Sequence, residues 1–276
     1  MSQDPEPNAV QITHPHPNIT LITLSRPHRR NAVNAPTADK LFAAFQAFEN
    51  DPDQKIAILT GDNGHQQPAF CAGYDLHTVK PSNSVPLTSA KTGQTLNSLG
   101  PMGPSRMLLS KPLIAAISGP AVAGGFELSL LADMRVIAPN AFFGVFCRRW
   151  GVPLLDGRTV RLQRLIGLSR ALDLTLTGRP VYAEEAMQIG LANRLAPEGT
   201  DVVEEAVKLA ESLLKFPQLC MNLDRKSAYF AAYDSGSLND ALKYEYENGI
   251  EAVRAEGAAG AKRFSEGSGR HGSFKL

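Results

Sequence analysis

The chain has 276 residues, 43% hydrophobic and 20% charged, which is enough apolar material for one large domain or a domain with an appendage. A formal net charge of +1 excludes the strongly basic surface of a nucleic-acid binder. The longest apolar runs, such as residues 113–117 and 128–132, are too short to cross a bilayer, so no membrane partner is expected.

Residues 1–8 (MSQDPEPN) are acidic and proline-rich; they lack the basic and apolar regions of a secretion signal and are expected to be disordered. Residues 18–24 (NITLITL) alternate apolar and polar side chains, which predicts a strand ended by Ser25-Arg26-Pro27. A helix is predicted around Pro36, because Leu41, Phe42, Phe45 and Phe48 recur at helical spacing with proline in the first turn. Residues 55–60 (KIAILT) read as a buried strand stopped by Gly61, and residues 80–93 as a polar loop. A second unit follows: a strand at 113–118, a Gly119-Pro120 turn, a buried helix at 124–131 and a short strand at 133–138. Strand, glycine-bearing turn and helix thus succeed one another twice, around 56–77 and 113–132, which predicts an α/β fold with right-handed crossovers. Beyond residue 196 only helical periodicity remains, in 201–216 and 238–255. The expected organisation is a core at 9–196 and a C-terminal helical region at 197–276.

Cys71, Cys147 and Cys220 are odd in number and lack metal-ligand spacing; they read as free thiols of a reducing compartment, and a cytoplasmic location is expected. The last three residues, Phe274-Lys275-Leu276, resemble a peroxisomal tail with Phe in place of Ser. Neither a metal-ligand cluster nor a dinucleotide fingerprint is in place, so no metal or redox cofactor is expected.

Two glycine-bearing segments stand out, AFCAGYDL at 69–76 and SGPAVAGGFEL at 118–128. Small residues admit close approach of a ligand or another backbone, and a helix start offers unpaired amides. Taken singly, each fits packing as well as function. Together, about fifty residues apart and preceded by RPHRRNAVN at 26–34, they closely resemble the crotonase (enoyl-CoA hydratase/isomerase) family, over roughly residues 9–265.

The resemblance implies a ββα spiral core with a C-terminal helical oligomerisation region, a homotrimer or dimer of trimers, and an acyl-CoA thioester as substrate. It places the backbone amides of Tyr74 and Gly124 around the thioester oxygen as an oxyanion hole. It places coenzyme A, which arrives as part of the substrate, around Arg29, Arg30, Ala32 and Ala72, with Asp75 and Leu76 as further CoA or substrate contacts; His77, just beyond, fits the edge of the substrate mouth or a merely exposed position. For either arginine a solvated turn is an equally good reading. Glu127 falls on the first of the two glutamates that share a water in the family's hydratases. Its apolar surroundings would raise its pKa and the helix start would lower it, which leaves the sign open.

The family's second glutamate is replaced here by Cys147, a poor base for activating water, which is better read as a pocket-lining residue. Asp156, nine residues on, matches an aspartate used by members that cleave carbon–carbon bonds or close rings; Asp156-Gly157 also fits an ordinary turn or helix cap. Arg158, Arg161 and Arg164 recur every third residue, which predicts one solvated or salt-bridged helix face. Tyr244-Glu245-Tyr246-Glu247 sits on an amphipathic helix that the resemblance places within reach of a neighbouring subunit.

The resulting expectation is a hydro-lyase that adds water to a 2-enoyl-CoA or removes it from a 3-hydroxyacyl-CoA. Glu127 positions or deprotonates the water, and Asp156 assists. The alternatives are a hydrolase or retro-Claisen enzyme that cleaves a 1,3-dicarbonyl with Asp156, and a non-catalytic acyl-CoA-binding relative. An RNA-binding relative is disfavoured, since the early helix carries only Lys40 with acidic Asp39 and Glu49.

Overall fold

In the computed structural model, which describes residues 6–64, 68–78 and 96–267, β1 (Val10–His16) runs antiparallel to β2 (Ile19–Leu24). The sequence reading assigned no strand to 10–16. Its side chains are mostly exposed, so it carries little of the alternation that reveals a half-buried strand. Of the residues expected to be disordered, 1–5 lie outside the described set, but Glu6 is held: its carboxylate meets Arg26 at 2.7 Å and His28 at 3.1 Å.

Helix α1 (Ala35–Asn50) starts where Asn34 Oδ1 accepts the Thr37 amide at 3.0 Å with Pro36 in the first turn, and it buries Leu41, Phe45 and Phe48. β3 (Ile56–Gly61) and β4 (Leu113–Ile117) are buried at every position and pair in parallel, which explains their unbroken apolar runs. A 3-10 turn at Pro104–Arg106 precedes β4. Then come β5 (Ala121–Val122), α2 (Gly124–Ser129), β6 (Met134–Ile137), β7 (Phe142–Gly144) and a 3-10 turn at Phe146–Trp150. They are followed by α3 (Arg158–Ile166), α4 (Leu168–Thr177), β8 (Val181–Tyr182), α5 (Ala183–Gln188), β9 (Arg194–Leu195) and α6 (Val202–Leu214).

The strands form a six-stranded sheet in the order β1-β2-β3-β4-β6-β9, parallel from β2 onward, and a three-stranded sheet β5-β7-β8. The α/β expectation is met, with one correction. No α-helix follows β3 near residues 70–77; the chain there is extended and ends in a 3-10 turn at Leu76–Thr78. Its backbone groups bond across to Pro120, Arg30 and Val33, which a helix would forbid.

By internal compactness the chain divides into Met1–Ala210 and Glu211–Leu276, so the division falls inside α6 rather than at residue 196. In the second unit α7 (Gln218–Tyr233) and α8 (Leu238–Ala252) pack together, with Phe230 and Tyr244 stacked at 3.8 Å between ring centroids. A π turn at Val253–Gly257 leads into α9 (Ala258–Ser265). Tyr244 is thus engaged within its own chain, whereas Tyr246 is exposed. Among the described residues no helix is long and apolar enough to cross a membrane. Residues 80–93, expected to form a loop, and the Phe274–Leu276 tail lie outside the described residues.

Candidate active site

The two glycine-bearing segments lie side by side. The amides of Phe70 and Cys71 both donate to Pro120 O, and the Val122 amide donates back to Cys71 O at 3.0 Å. The close approach needs glycine: a Cβ on Gly125 would sit 2.1 Å from Cys71 O, and one on Gly119 would sit 2.2 Å from Pro68 O.

The first segment is fixed from the 26–34 side. Asn31 has a left-handed φ of 57°; its side chain accepts the Arg26 amide and donates to Asp62 O and Ala69 O. The Ala72 amide donates to Arg30 O, the Val33 amide to Gly73 O, and the Asp75 amide to Val33 O. This RNA-containing stretch therefore works as a backbone clamp on residues 72–75. Arg26 completes the clamp. It is buried, donates to Asp75 Oδ2 at 3.0 Å and bonds to Ala32 O.

The clamp leaves two amides over. The Tyr74 amide lies between bonded neighbours, and the Gly124 amide opens α2; among the described residues neither has an acceptor. They are close together, because a Cβ on Gly73 would lie 2.9 Å from the Gly124 nitrogen. Gly73 itself holds φ 94°, and Ala123, just before Gly124, holds φ 52°, a strained value for a residue with a Cβ. β5 pairing with β7 sustains that strain: the Ala123 amide is anchored on Gly144 O at 2.8 Å. The side chain of Tyr74 is partly buried against the core. Its hydroxyl pKa is raised by burial.

Tyr74 and Gly124 line a cleft of about 110 Å³ together with Ala72, Leu76, Met102, Glu127, Cys147 and Asp156. Phe146, Trp150, Val152, Pro153 and Leu155 make the rest of the wall largely apolar. Glu127 and Asp156 are both buried, and the Asp156 amide donates to Glu127 Oε1 at 2.9 Å. The Arg158 amide reaches the same oxygen at 3.3 Å, so the start of α3 fixes one side of the Glu127 carboxylate. Asp156 is fixed in turn by residues that sequence reasoning passed over. Its Oδ1 accepts the Met102 amide at 3.0 Å and the hydroxyl of buried Ser105. Nothing local in Pro104-Ser105-Arg106 signals this role, because the partners are 51 residues apart in the chain.

Burial and the neighbouring charge of Asp156 push the Glu127 carboxyl up to about 7, against the pull of the two amides and of Arg158. Burial also raises Asp156, opposed by the Ser105 and Met102 hydrogen bonds and by Arg106 and Arg161. Cys147 does occupy the wall beside Glu127. Burial and the Glu127 charge raise its thiol, so it stays neutral.

Other expected positions fall away from the cleft. The Asp75 carboxylate is taken by Arg26 and by the His77 amide. His77, Arg29 and Arg30 stand exposed, and Ala32 is buried beneath the turn. The three arginines of α3 do not share one solvated face. Arg158 is fully buried, Arg161 is half-buried against the carbonyls of Ser105 and Asp156, and Arg164 is exposed. Among the described residues no group of three His, Cys, Asp or Glu side chains is placed to hold a metal.

This arrangement has counterparts. An enoyl-CoA hydratase EchA19 of Mycobacterium tuberculosis is 35% identical over 89% of this chain and 90% of that protein. A mevalonyl-coenzyme A hydratase of Beauveria bassiana is 35% identical over 76% and 75% of the two chains. The crystal structure of an enoyl-CoA hydratase from Mycobacterium tuberculosis superposes with a TM-score of 0.81 at 30% identity, covering 94% of this chain and 96% of that one. The family model for enoyl-CoA hydratase/isomerase matches residues 15–268, nearly the whole length: the chain belongs to the enoyl-CoA hydratase/isomerase family.

Proposed function

We propose that the chain is a hydro-lyase of enoyl-CoA hydratase type, with Glu127 and Asp156 as its proton-transferring pair. The observation that carries this reading is the shared cleft: two buried carboxyl groups, linked by the Asp156 amide, face the same space as the Tyr74 and Gly124 amides. Hydration of a 2-enoyl thioester needs a base for the attacking water, an acid for C2, and donors for the charge on the thioester oxygen. The amides supply the last of these without reorganising, each worth roughly 3–4 kcal/mol in comparable sites.

From sequence alone Glu127 was expected to position or deprotonate the water. The hydrogen bonding supports the reverse division. The Ser105 and Met102 donors, with Arg106 and Arg161, favour the charged form of Asp156 against its burial, and Glu127, pushed up to about 7, is assigned the proton that the pair shares. Asp156 then takes a proton from water as its oxygen bonds to C3, and Glu127 delivers a proton to C2. Dehydration of the 3-hydroxyacyl thioester runs the same steps backward. Coenzyme A enters as part of the substrate, and no metal or redox group has a role in these steps.

The test is hydration of crotonyl-CoA and of a longer 2-enoyl-CoA, followed by loss of thioester-conjugated absorbance, with Glu127→Gln and Asp156→Asn alongside. Turnover that collapses in both variants is the expected result. No turnover despite binding of the CoA ester overturns the hydratase reading, and activity on a 1,3-diketone without CoA would put a retro-Claisen enzyme in its place. A homotrimer or dimer of trimers belongs to the same proposal. Exposed Leu168, Leu172 and Leu176 form a stripe on α4, as do Leu238, Leu242 and Tyr246 on α8, and both stripes favour burial by a neighbouring copy. Light scattering of the purified chain measures it.

A further inference from the structure

Two arginines are fully buried in the first unit, and they are treated differently. Arg135 spends its guanidinium on carbonyls, at 2.6 Å to Leu191 O and 2.7 Å to Ala132 O. Arg158 gives Nη1 to Thr175 Oγ1 at 2.9 Å, while its Nε and Nη2 are buried with no hydrogen-bond partner. Its guanidinium lies over the ring of Phe126, 4.5 Å from the centroid, and Phe126 is the residue just before Glu127. Its own amide donates to Glu127 Oε1.

A buried cation with two unsatisfied donors is costly unless a nearby anion compensates it. The charged and titratable groups packed around Glu127 are few. Asp156 precedes α3, Arg158 begins it, and Cys147 lies on the turn that also carries Arg148. Arg106 and Arg161 act on Asp156 instead. Arg158 is a cation that acts directly on Glu127. Arg148 is turned outward, to the Thr175 carbonyl.

We propose that Arg158 is a positioning residue that supplies the counter-charge for Glu127, steadying its carboxylate form on the two α3 amides and setting the pH window in which the Glu127–Asp156 pair shares one proton. The stack on Phe126 and the Thr175 bond hold the guanidinium beside α2, and the leftover donors follow from that placement, because the partner is a charge rather than a hydrogen-bond acceptor. Burial lowers Arg158 itself to about 10, and Glu127 is the largest influence opposing that fall. The role gives Glu127 a proton it can lose and regain near neutrality, where burial and Asp156 together would otherwise fix it as the neutral acid.

This inference rests on the reading of Glu127 and Asp156 as the proton-transferring pair, so its test has a readout independent of turnover. The Glu127 carboxyl is titrated by carbon NMR in the full chain labelled at glutamate, with Glu127→Gln to assign the signal, in wild type, Arg158→Met, Arg158→Gln and Arg158→Lys. The pH profile of kcat/KM for crotonyl-CoA hydration is measured in parallel. In the neutral variants the carboxyl titration and both limbs of the profile are expected to move alkaline by roughly one pH unit or more, with Lys restoring them toward wild type. A titration that stays in place in the neutral variants, with only Tm lowered, overturns the inference and leaves Arg158 a packing residue. If neither neutral variant folds, Thr175→Val, which removes the hydrogen bond that anchors the guanidinium, decides: an alkaline shift of the Glu127 titration supports the charge role, and an unmoved titration overturns it. If Glu127→Gln turns over like wild type, the proton-transfer reading fails, while the NMR titration still decides on Arg158.

Discussion

The amide of Asp156 donates to Glu127 Oε1 at 2.9 Å, so the two carboxyl groups of the cleft are joined through the backbone of one and the side chain of the other. The bond leaves both carboxyl groups facing the same cleft. It also means that neither group moves without the other, and that the charge of one is felt by the other in a site largely closed to water.

Glu127→Gln should lower kcat by roughly 10²–10⁴, the usual contribution of a positioned acid or base. The same variant should be more stable than wild type at alkaline pH. The folded carboxyl titrates at about 7 against an ordinary 4.5, so the folded protein holds that proton more tightly than the unfolded chain. Below 4.5 both states are protonated and the variant gains nothing. As pH rises from 4.5 to 7 wild type loses stability, by ~3 kcal/mol in all, and Gln avoids that loss while still accepting both amides. Thermal unfolding at pH 8 and at pH 4.5 checks it; equal Tm differences at the two pH values would contradict the burial argument.

Asp156→Asn should abolish hydration as fully as Glu127→Gln. Ser105→Ala should be milder and more diagnostic. It removes one of the two donors to Oδ1, raises the Asp156 pKa and moves the acid limb of the kcat/KM profile to higher pH. An unchanged acid limb in Ser105→Ala would remove Asp156 from the role of base.

Gly73→Ala should cost both stability and turnover. The residue sits at φ 94°, and the added Cβ would meet Ala123 Cβ at 2.8 Å and the Gly124 nitrogen at 2.9 Å, so relief has to move one of the two unpaired amides. If those amides hold the thioester oxygen as proposed, the expected pattern is a drop in kcat/KM larger than the drop in CoA-ester affinity, read from steady-state kinetics and calorimetry.

Cys147→Ser should retain hydration within a few-fold, since its thiol is held neutral and the proposed steps do not use it. Thiol titration of the native protein should find Cys220 first. Cys220 is exposed, whereas Cys71 is fully buried with its thiol pushed up to about 12. Loss of all hydration in Cys147→Ser would assign the thiol a part in the chemistry.

Local pattern carried much of the fold. The buried runs at 56–61 and 113–117, the Asn34 cap with Pro36 and the helical spacing of Leu41, Phe45 and Phe48 all lie within one element each, so neighbouring residues suffice to reveal them. The two glycine segments were legible because close approach leaves a mark on residue type: nothing larger than glycine fits against Cys71 O or Pro68 O. β1 was missed because an exposed edge strand has little to alternate. The helix expected near 70–77 failed because its amides are taken by partners far away in the chain.

What the sequence by itself determined was therefore the α/β scaffold and the family, and through the resemblance it offered the amides of Tyr74 and Gly124 as candidate donors and Glu127 with Asp156 as the acidic candidates. Tertiary structure alone decided that Asp156 bonds to Glu127, that Ser105 and Met102 hold Asp156, that Asp75 belongs to Arg26, and that Arg158 is buried while Arg164 is exposed. The reason is physical. Burial, desolvation and hydrogen-bond partnership are properties of groups brought together across 29 to 54 residues of chain, and a side chain's charge state follows from those neighbours rather than from its own type.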